Sequence, residues 1–253
     1  MKKLFIINYS LFILAAALLL LASCEKKPED PQVGTYSSLV SITDNSIDEW
    51  GILPAEFVKE AKCMADAELL GLQSVKVYAD KHYINLLVEP NMDDIMDRTW
   101  VPLHIYLNTD NSDATGGFGD RFTDANTDIM LEGAVFADGW VCNYDPAVFT
   151  WHGTIGGNGW EWTTDGDHNE DDCYGALVCA GNGIANSQFI NGKIEIQILR
   201  SAIPANWSSE NKFGIGVDIY QFDNLAGILP NASPTDSNPN GYTNKMTVTV
   251  DDH

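Results

Sequence analysis

Basic side chains are scarce in this sequence. In 253 residues, 14 lysines and arginines stand against 36 aspartates and glutamates, and the formal net charge is −22. Nucleic-acid binding requires basic side chains that neutralise phosphates, and charge-driven adhesion to an anionic membrane surface requires the same side chains. The composition therefore excludes both partners, whereas it is compatible with neutral ligands such as sugars and with divalent cations.

The common catalytic motifs are also missing. No CxxC pair is present, which disfavours a zinc ribbon or a thioredoxin-like redox site. The five histidines show neither HExxH nor another close ligand spacing, and there is no GxSxG, Walker or GxGxxG motif. Carboxylates are so numerous that a glycosidase pair cannot be singled out. The sequence therefore favours a protein that is not an enzyme.

Long apolar runs are confined to the N terminus. Lys2 and Lys3 precede the run Leu11 to Ala22, which has the length of a signal-peptide core and is short for a membrane span. The residues Leu21 to Cys24 resemble a bacterial lipobox, in which the cysteine is acylated and becomes the first residue of the mature protein. The sequence thus predicts three parts: a lipoprotein signal peptide (1–23), a lipidated Cys24 with a polar tether (24–35) and one folded domain (36–253).

The number of cysteines is compatible with a protein that is exported to an oxidising compartment, where disulfides form. Besides Cys24, the chain has Cys63, Cys142, Cys173 and Cys179, which allow three pairings into two disulfides. Cys173 and Cys179 are close enough in sequence to close one loop, which would leave Cys63 with Cys142; four free thiols are the alternative. We predict an outer-membrane lipoprotein that faces the periplasm or the cell surface and meets the membrane only through its lipid.

The mature chain shows the pattern of strands and turns. Period-two alternation and β-prone runs predict seven strands: Ser74–Tyr78, Tyr83–Val88, Leu103–Leu107, Asp128–Phe136, Ile194–Ile198, Phe213–Tyr220 and Lys245–Val250. Helical periodicity is limited to Ala55–Ala67 and Met92–Asp97. Strands separated by turn signals over about 200 residues predict an all-β, antiparallel β-sandwich with at most one short helix.

Five segments carry a further pattern in their order: Ser41–Trp50 (S-I-T-D-N-S-I-D-E-W), Val75–Glu89, Pro102–Gly117 (P-L-H-I-Y-L-N-T-D-N-S-D-A-T-G-G), Asp128–Gly133 (D-I-M-L-E-G) and Lys193–Pro204. This order resembles that of the family-nine carbohydrate-binding modules and their DOMON-like relatives. Asn45 stands where that group has glycine, and Asn108 stands where it has the first aspartate of a D-T-D triplet. The resemblance implies a jelly-roll-like β-sandwich, often a calcium ion and, in many members, sugar binding.

Tryptophans concentrate in one glycine-rich stretch. Four of the seven lie between residues 140 and 162, where glycine-rich backbone indicates loops. Flat indole faces stack on the apolar C–H faces of sugar rings, and neighbouring polar side chains bond to hydroxyls. We therefore predict a glycan site that includes Trp140, Tyr144, Trp151, Trp160 and Trp162. The alternative is that these rings plug the core or one end of the sandwich, and Trp50 and Trp100 are expected to be core residues.

Two acidic turns are candidates for a structural calcium ion. Calcium takes six to eight hard oxygen ligands, which a tight turn rich in Asp and Asn supplies. The first candidate comprises Asn108, Asp110, Asn111 and Asp113, with Asp128 closing the shell as the resemblance suggests. The second is Asp165–Asp172, which lacks the glycine and the final glutamate of an EF-hand loop. A solvated acidic turn is the alternative for both.

These patterns together predict a function. The chain is expected to be a non-catalytic lipoprotein of a polysaccharide-scavenging bacterium that binds a neutral oligo- or polysaccharide. A structural or adhesion lipoprotein that docks on a protein partner is the alternative, and a secreted glycoside hydrolase is less favoured. Glycan microarray binding or affinity electrophoresis would separate the first two.

Overall fold

Alternating apolar side chains organise the chain into strands. The computed structural model describes residues 32–118, 121–152, 162–163, 174–180 and 183–252. The strands, in chain order, are β1 (Lys59–Lys62), β2 (Leu72–Ala79), β3 (Tyr83–Pro90), β4 (Trp100–Asn108), β5 (Ile129–Ala137), β6 (Trp140–Val141), β7 (Ala147–His152), β8 (Trp162–Thr163), β9 (Tyr174–Ala180), β10 (Ala185–Ile190), β11 (Lys193–Leu199), β12 (Lys212–Gln221), β13 (Asn224–Leu229) and β14 (Met246–Thr249).

These strands pair into two sheets. The five-stranded sheet has the order β1-β2-β3-β11-β10. The nine-stranded sheet has the order β13-β12-β4-β5-β7-β9-β8, with β14 paired to β12 and β6 paired to β5. The strand pairs are antiparallel except for β8 with β9, which is parallel. The predicted all-β sandwich is confirmed, and the seven predicted strands correspond to β2, β3, β4, β5, β11, β12 and β14.

The predicted helices do not form. Ala55–Ala67 contains β1, which pairs with β2 at the edge of the five-stranded sheet, and Met92–Asp97 includes a turn. Ala61 is buried in the core, so pairing and burial override the helix propensity of the surrounding Ala, Glu and Lys residues. The only helices in the described ranges are two short 3-10 turns, Asp48–Gly51 and Arg200–Ala202, and neither could cross a membrane.

One apolar core fills the space between the two sheets. Leu103 and Ile105 of β4 belong to the same buried cluster as Leu86 of β3 and Ile196 of β11. Because successive side chains of a strand point to opposite faces, the residues that alternate with Leu103 and Ile105 lie on the outside of the nine-stranded sheet. We call that side the outer face.

Two-residue turns join several neighbouring strands. Asp138 and Gly139 have φ values of 50° and 82°, and they connect the paired residues Ala137 and Trp140. Positive φ at both central positions is the geometry of a type I′ turn, which matches the twist of a hairpin and favours the Asp-Gly sequence found here. This turn fixes the position of Trp140 beside β5.

The disulfide predicted between Cys63 and Cys142 is not present, because both residues are free thiols. Cys63 follows β1 at one edge of the five-stranded sheet. Cys142 follows β6, and its neighbour Asn143 accepts a hydrogen bond from Ser187 of β10, at the opposite edge of that sheet. The two cysteines are therefore separated by the width of the sheet. Cys173 lies outside the described residues, as do the predicted signal peptide and Cys24.

The segment Val40–Leu53 covers the five-stranded sheet on the side away from the core. Trp50 is buried there, as predicted, and its indole Nε1 donates a hydrogen bond to Glu195 of β11. Gln188 of β10 donates to the other oxygen of the same carboxylate. Asn45, at the position where the resembled family has glycine, adopts a left-handed φ of 56°, which asparagine tolerates.

Glu195 should make the stability of this covering segment depend on pH. Burial raises the pKa of Glu195 to about 7, against the hydrogen bonds from Gln188 and Trp50 and together with the charges of Glu49 and Asp44. In the unfolded chain, Glu195 ionises near the ordinary value of 4.5. The free energy of unfolding therefore decreases as pH rises from about 4.5 to 7, and it remains at the lower value above pH 7. We expect a loss on the order of 2 kcal/mol in denaturant titrations.

Glu195→Gln provides the matched control for this prediction. The variant carries no titrating group at position 195, so the difference in unfolding free energy between the two proteins should change with pH between 4.5 and 7. Its stability at a single pH is uninformative, because the amide also alters the hydrogen bonds with Gln188 and Trp50. A difference that stays constant over this pH range would contradict the assignment.

Candidate functional site

Two exposed tryptophans lie in one row across the outer face. Trp100 of β4 pairs with Ala137 of β5, and Ala137 pairs with Trp140 of β6. Paired residues share a face, so the small alanine lies between two indoles that are 46% and 78% exposed. Two strand spacings separate the backbones of the two tryptophans, which amounts to about 10 Å. We call Trp100, Ala137 and Trp140 the tryptophan row.

The position of Trp100 corrects the expectation that it is a core residue. Val101 is fully buried in the core, and strand alternation turns the preceding Trp100 to the outer face. The hairpin sequence Ala137-Asp138-Gly139-Trp140 then places the second indole opposite the same alanine. The Asp-Gly pair between apolar residues is a strong hairpin signal in the sequence, and it would have identified this row.

An open cleft borders the tryptophan row. It has a volume of about 810 Å³, and its lining includes Asp97, Arg98 and Asp138. The guanidinium of Arg98 donates to the carbonyl oxygens of Ile95 and Met92 at 3.3 and 3.2 Å. This cation is therefore held by the backbone, whereas Asp138 lies at the exposed turn next to Trp140.

Three charged residues form a second row in the middle of the outer face. Glu132 of β5, His104 of β4 and Asp218 of β12 are direct cross-strand neighbours. His104 Nδ1 lies 2.6 Å from Asp218 Oδ1, and His104 Nε2 lies 3.1 Å from Glu132 Oε2. The side chains of Asp218, His104 and Glu132 are 0%, 10% and 35% exposed, respectively. We call these three residues the ion row.

The two carboxylates keep His104 protonated. Burial alone would lower the pKa of the imidazole, but the charge and hydrogen bond of Asp218, followed by those of Glu132, raise it to about 10. An imidazolium donates from both ring nitrogens, so it satisfies both carboxylates at once. The rings of Tyr220 and Tyr106 pack edge-on against His104, with centroids 5.2 and 6.1 Å away. Sequence reasoning missed this row, although His104 and Glu132 alternate with core residues in predicted strands.

Two other residues predicted for glycan binding, Tyr144 and Trp151, do not belong to the tryptophan row. Tyr144 is fully buried in the core, where its hydroxyl lies 3.4 Å from the carbonyl oxygens of Leu103 and Leu131, so its assignment to the site is wrong. Trp151 is half-buried, and its ring occupies the space where a side chain at Gly117 would lie. Trp162 belongs to β8, and Trp160 lies outside the described residues. Of the predicted residues whose side chains the structure describes, Trp140 alone joins the tryptophan row.

The first predicted calcium loop is a tight turn after β4. The amide nitrogen of Ser112 donates to Asn108 Oδ1 at 3.2 Å and to Asp110 Oδ1 at 2.9 Å. The amide nitrogen of Thr109 donates to Asp128 Oδ2 at 2.8 Å. The structure thus gathers three of the five predicted ligand side chains at the start of the loop.

The remaining two predicted ligands lie farther along the same loop. Asn111 has a φ of 56°, and Asp113 accepts a hydrogen bond from Asn126 at 2.7 Å. Burial raises the pKa of the Asp128 carboxyl, against the hydrogen bond from Thr109, and the nearby charge of Asp110 raises it further. Two carboxylates that repel each other in a turn are a suitable start for a cation site, because a divalent ion would relieve the repulsion.

A protein cation already lies beside this loop. The ammonium of Lys245 is 2.9 Å from Asp124 Oδ1, and the charges of Asp128 and Asp113 also favour it. In the described part of the chain, no three or more His, Cys, Asp or Glu side chains gather in a group that could hold a metal ion. Calcium at this loop would therefore take much of its coordination from amide, carbonyl and water oxygens. The second predicted loop, Asp165–Asp172, lies outside the described residues.

Comparisons with known proteins identified no relative of this chain. No family model matches it, and no curated protein matches it either.

The chemistry of the outer face is therefore the basis for a proposed function. Exposed indoles offer flat apolar surfaces to ring-shaped ligands, and a carboxylate at the protein surface accepts hydrogen bonds from hydroxyl groups. Both groups stand on strands of a rigid sheet, which holds them in a fixed relative position.

The protonation of His104 can be measured directly. Because the folded pKa is about 10 and the ordinary value is 6.5, the ion row stabilises the fold fully below pH 6.5 and loses that stabilisation as pH rises to about 10. We expect nitrogen chemical shifts of the His104 ring to report an imidazolium at pH 8. His104→Gln should leave Asp218 buried without its cation and cost about 3 to 5 kcal/mol. A ring titration midpoint near 6.5 would contradict the assignment.

Proposed function

We propose that this protein binds a neutral oligo- or polysaccharide on its outer face and does not transform it. The observation that carries the proposal is the tryptophan row, in which two largely exposed indoles flank a small alanine on one sheet. Large aromatic side chains exposed on a rigid surface are costly to hydrate, and such surfaces commonly mark binding sites. The indole faces offer stacking surfaces for the C–H faces of sugar rings.

The spacing of the row suits an extended ligand. The two tryptophans are about 10 Å apart, so one chain of several sugar rings can contact both. The alanine between them leaves room for the part of the ligand that bridges the indoles. Polar groups beside the row, in the cleft that Asp97 and Asp138 line, are available to sugar hydroxyls.

The remaining sequence-based expectations complete this proposal. We propose that the chain is an outer-membrane lipoprotein of a polysaccharide-scavenging bacterium, anchored through a lipid on Cys24. The resemblance to family-nine carbohydrate-binding modules and DOMON-like domains supports a role in sugar binding. In this arrangement the sandwich would capture a glycan near the cell surface, and other proteins would cleave or import it.

A protein partner is the second candidate for the same surface. Met96 and Phe222 are exposed apolar side chains close to the tryptophan row, and the amide nitrogen of Phe222 donates to the carbonyl oxygen of Trp100 at 3.0 Å. An apolar patch of this kind also suits an adhesion lipoprotein. The two candidates differ in what binds, because a glycan would require the indoles, whereas a protein would also bury the neighbouring apolar side chains.

Removal of either indole should weaken glycan binding. For a polysaccharide that the full chain retains in affinity electrophoresis, we expect Trp100→Ala and Trp140→Ala each to reduce affinity about tenfold, since one aromatic contact contributes about 1 to 2 kcal/mol. The double variant should show no measurable retention. Ile52→Ala, at an exposed apolar position on the covering segment of the other sheet, is the matched control and should bind normally.

The same variants separate the two candidates. If the tryptophan variants fold and retain full glycan affinity, the tryptophan row is not the glycan site. If no polysaccharide of a broad panel is retained by the wild-type chain, the glycan proposal fails and a protein partner becomes the better explanation. In that case Met96→Ala and Phe222→Ala should weaken binding of the partner as strongly as the tryptophan variants do.

We also propose a structural calcium ion at the loop that follows β4. Its ligands would come from Asn108, Asp110, Asn111, Asp113 and Asp128. Because an ion that binds only the folded state stabilises it, excess calcium should raise the melting temperature relative to excess chelator. Asp110→Asn should remove most of that difference, and Asp236→Asn, at an exposed position elsewhere, should preserve it. Identical melts in calcium and chelator, with no calcium in elemental analysis, would refute the proposal.

A further inference from the structure

Glu132 is the member of the ion row that reaches solvent. Its side chain is about a third exposed, whereas those of His104 and Asp218 are almost completely buried. Its Oε2 accepts the hydrogen bond from His104, and no described residue donates to its Oε1. The neighbours of Glu132 on the outer face include Ala147, its pair on β7, and Ala134 farther along β5. Small side chains on these two sides leave the second carboxylate oxygen open to a ligand.

The ion row holds this carboxylate in place. Asp218 fixes the ring of His104 through Nδ1, and His104 fixes Glu132 through Nε2. A carboxylate that is already oriented loses little conformational entropy when it accepts a hydrogen bond from a ligand. Glu132 is therefore a preorganised acceptor for hydroxyl groups.

Glu132 lies within reach of a ligand stacked on the tryptophan row. Trp100 and His104 are four residues apart on β4, which corresponds to about 13 Å along the strand. His104 is the direct neighbour of Glu132, so the two rows are separated by about this distance on one face. An oligosaccharide that stacks on one of the indoles and continues along the strands for a few units extends over this distance.

The charges around this path disfavour an acidic ligand. Asp97 and Asp138 line the cleft at the tryptophan row, and Glu132 marks the other end of the path. The nearby cations are each outnumbered by carboxylates: Arg98 shares the cleft with Asp97 and Asp138, and His104 lies between Asp218 and Glu132. A carboxylated sugar would lose hydration and meet a net negative charge, whereas a hydroxyl group would gain an acceptor.

We propose that Glu132 is a specificity-determining residue of the outer face: it accepts hydrogen bonds from sugar hydroxyls and makes the face reject glycans that carry uronic acids. This inference rests on the proposed glycan function and narrows its ligand class. The tryptophan row supplies stacking that any sugar ring with a flat apolar face can use. The ion row and the carboxylates of the cleft then decide which of these sugars remain bound.

A panel of immobilised polysaccharides tests the inference with the full chain. The neutral members are β-glucan, mannan, xylan and galactan, and the uronate-bearing members are polygalacturonate, alginate and glucuronoxylan. We expect the wild-type chain to bind at least one neutral member, and to bind every uronate-bearing member at least tenfold more weakly. Glu132→Gln should reduce the affinity for the neutral ligand severalfold and raise the relative affinity for uronates.

Asp138→Asn is the second variant, because Asn-Gly suits the same type I′ turn and leaves the ion row intact. Loss of this charge beside Trp140 should raise uronate binding severalfold with little change for the neutral ligand. Asp236→Asn, at an exposed position in another loop, is the matched control and should change neither. A purely structural role of Glu132 would instead lower both affinities by the same factor.

The outcomes distinguish this inference from the function on which it rests. Equal binding of neutral and uronate-bearing members by the wild-type chain, or an equal loss for both in Glu132→Gln, would overturn the role of Glu132 and leave the glycan function standing. Absence of binding to every member would overturn both. A selective change in Glu132→Gln and in Asp138→Asn, with Asp236→Asn unchanged, would support the inference.

Discussion

The burial of Leu103 and Ile105 between the two sheets directs the side chains of the outer face. A strand must turn successive side chains to opposite sides, so the apolar residues that enter the core force Trp100, His104 and Tyr106 outward. A shift of one residue in the pairing of β4 would bury the charges and expose the core. The core therefore fixes the register of β4, and the register fixes both rows of the candidate site.

The ion row shows how a sheet accommodates charge at low exposure. An isolated carboxylate as buried as Asp218 would be strongly destabilising, and the adjacent imidazolium offsets that cost through a short hydrogen bond. Because the three residues come from three neighbouring strands, the row also links β5, β4 and β12 through side chains. The arrangement depends on the same strand pairing as the core. Removal of His104 would leave the buried carboxylate of Asp218 without a neighbouring positive charge.

The sequence was informative where local pattern and tertiary structure agree. Alternation identified β2 and β11, and β-prone runs identified β4, β5 and β12, because each of these strands sends apolar side chains into the core. The sequence was misleading at Ala55–Ala67, where helix-favouring residues form an edge strand because pairing with β2 and burial of Ala61 dominate.

The candidate site was harder to predict because its members are distant in the sequence. His104 is 28 residues from Glu132 and 114 residues from Asp218, so only strand pairing brings them together. Trp140 was predicted because it begins a glycine-rich stretch that contains several tryptophans. Trp100, the second indole of the row, was missed because it lies in a strand that is otherwise buried. Tyr144 shows the opposite error, since an aromatic residue in a polar stretch folds back into the core.

The covering segment Val40–Leu53 has a consequence for how the protein is displayed. This segment lies on the five-stranded sheet, through the bonds of Trp50 and Gln188 to Glu195, and so on the opposite side of the sandwich from the tryptophan row. A tension applied to the chain before residue 32 would be borne first by the contacts of residues 33 to 38, among them Val33 N with Gly183 O and Ser38 Oγ with Asp80 Oδ2, and then by the covering segment. The strands that carry the indoles would not bear it first. These contacts of the first described residues thus leave the tryptophan row, on the other sheet, open to large polymers that cannot enter a narrow gap.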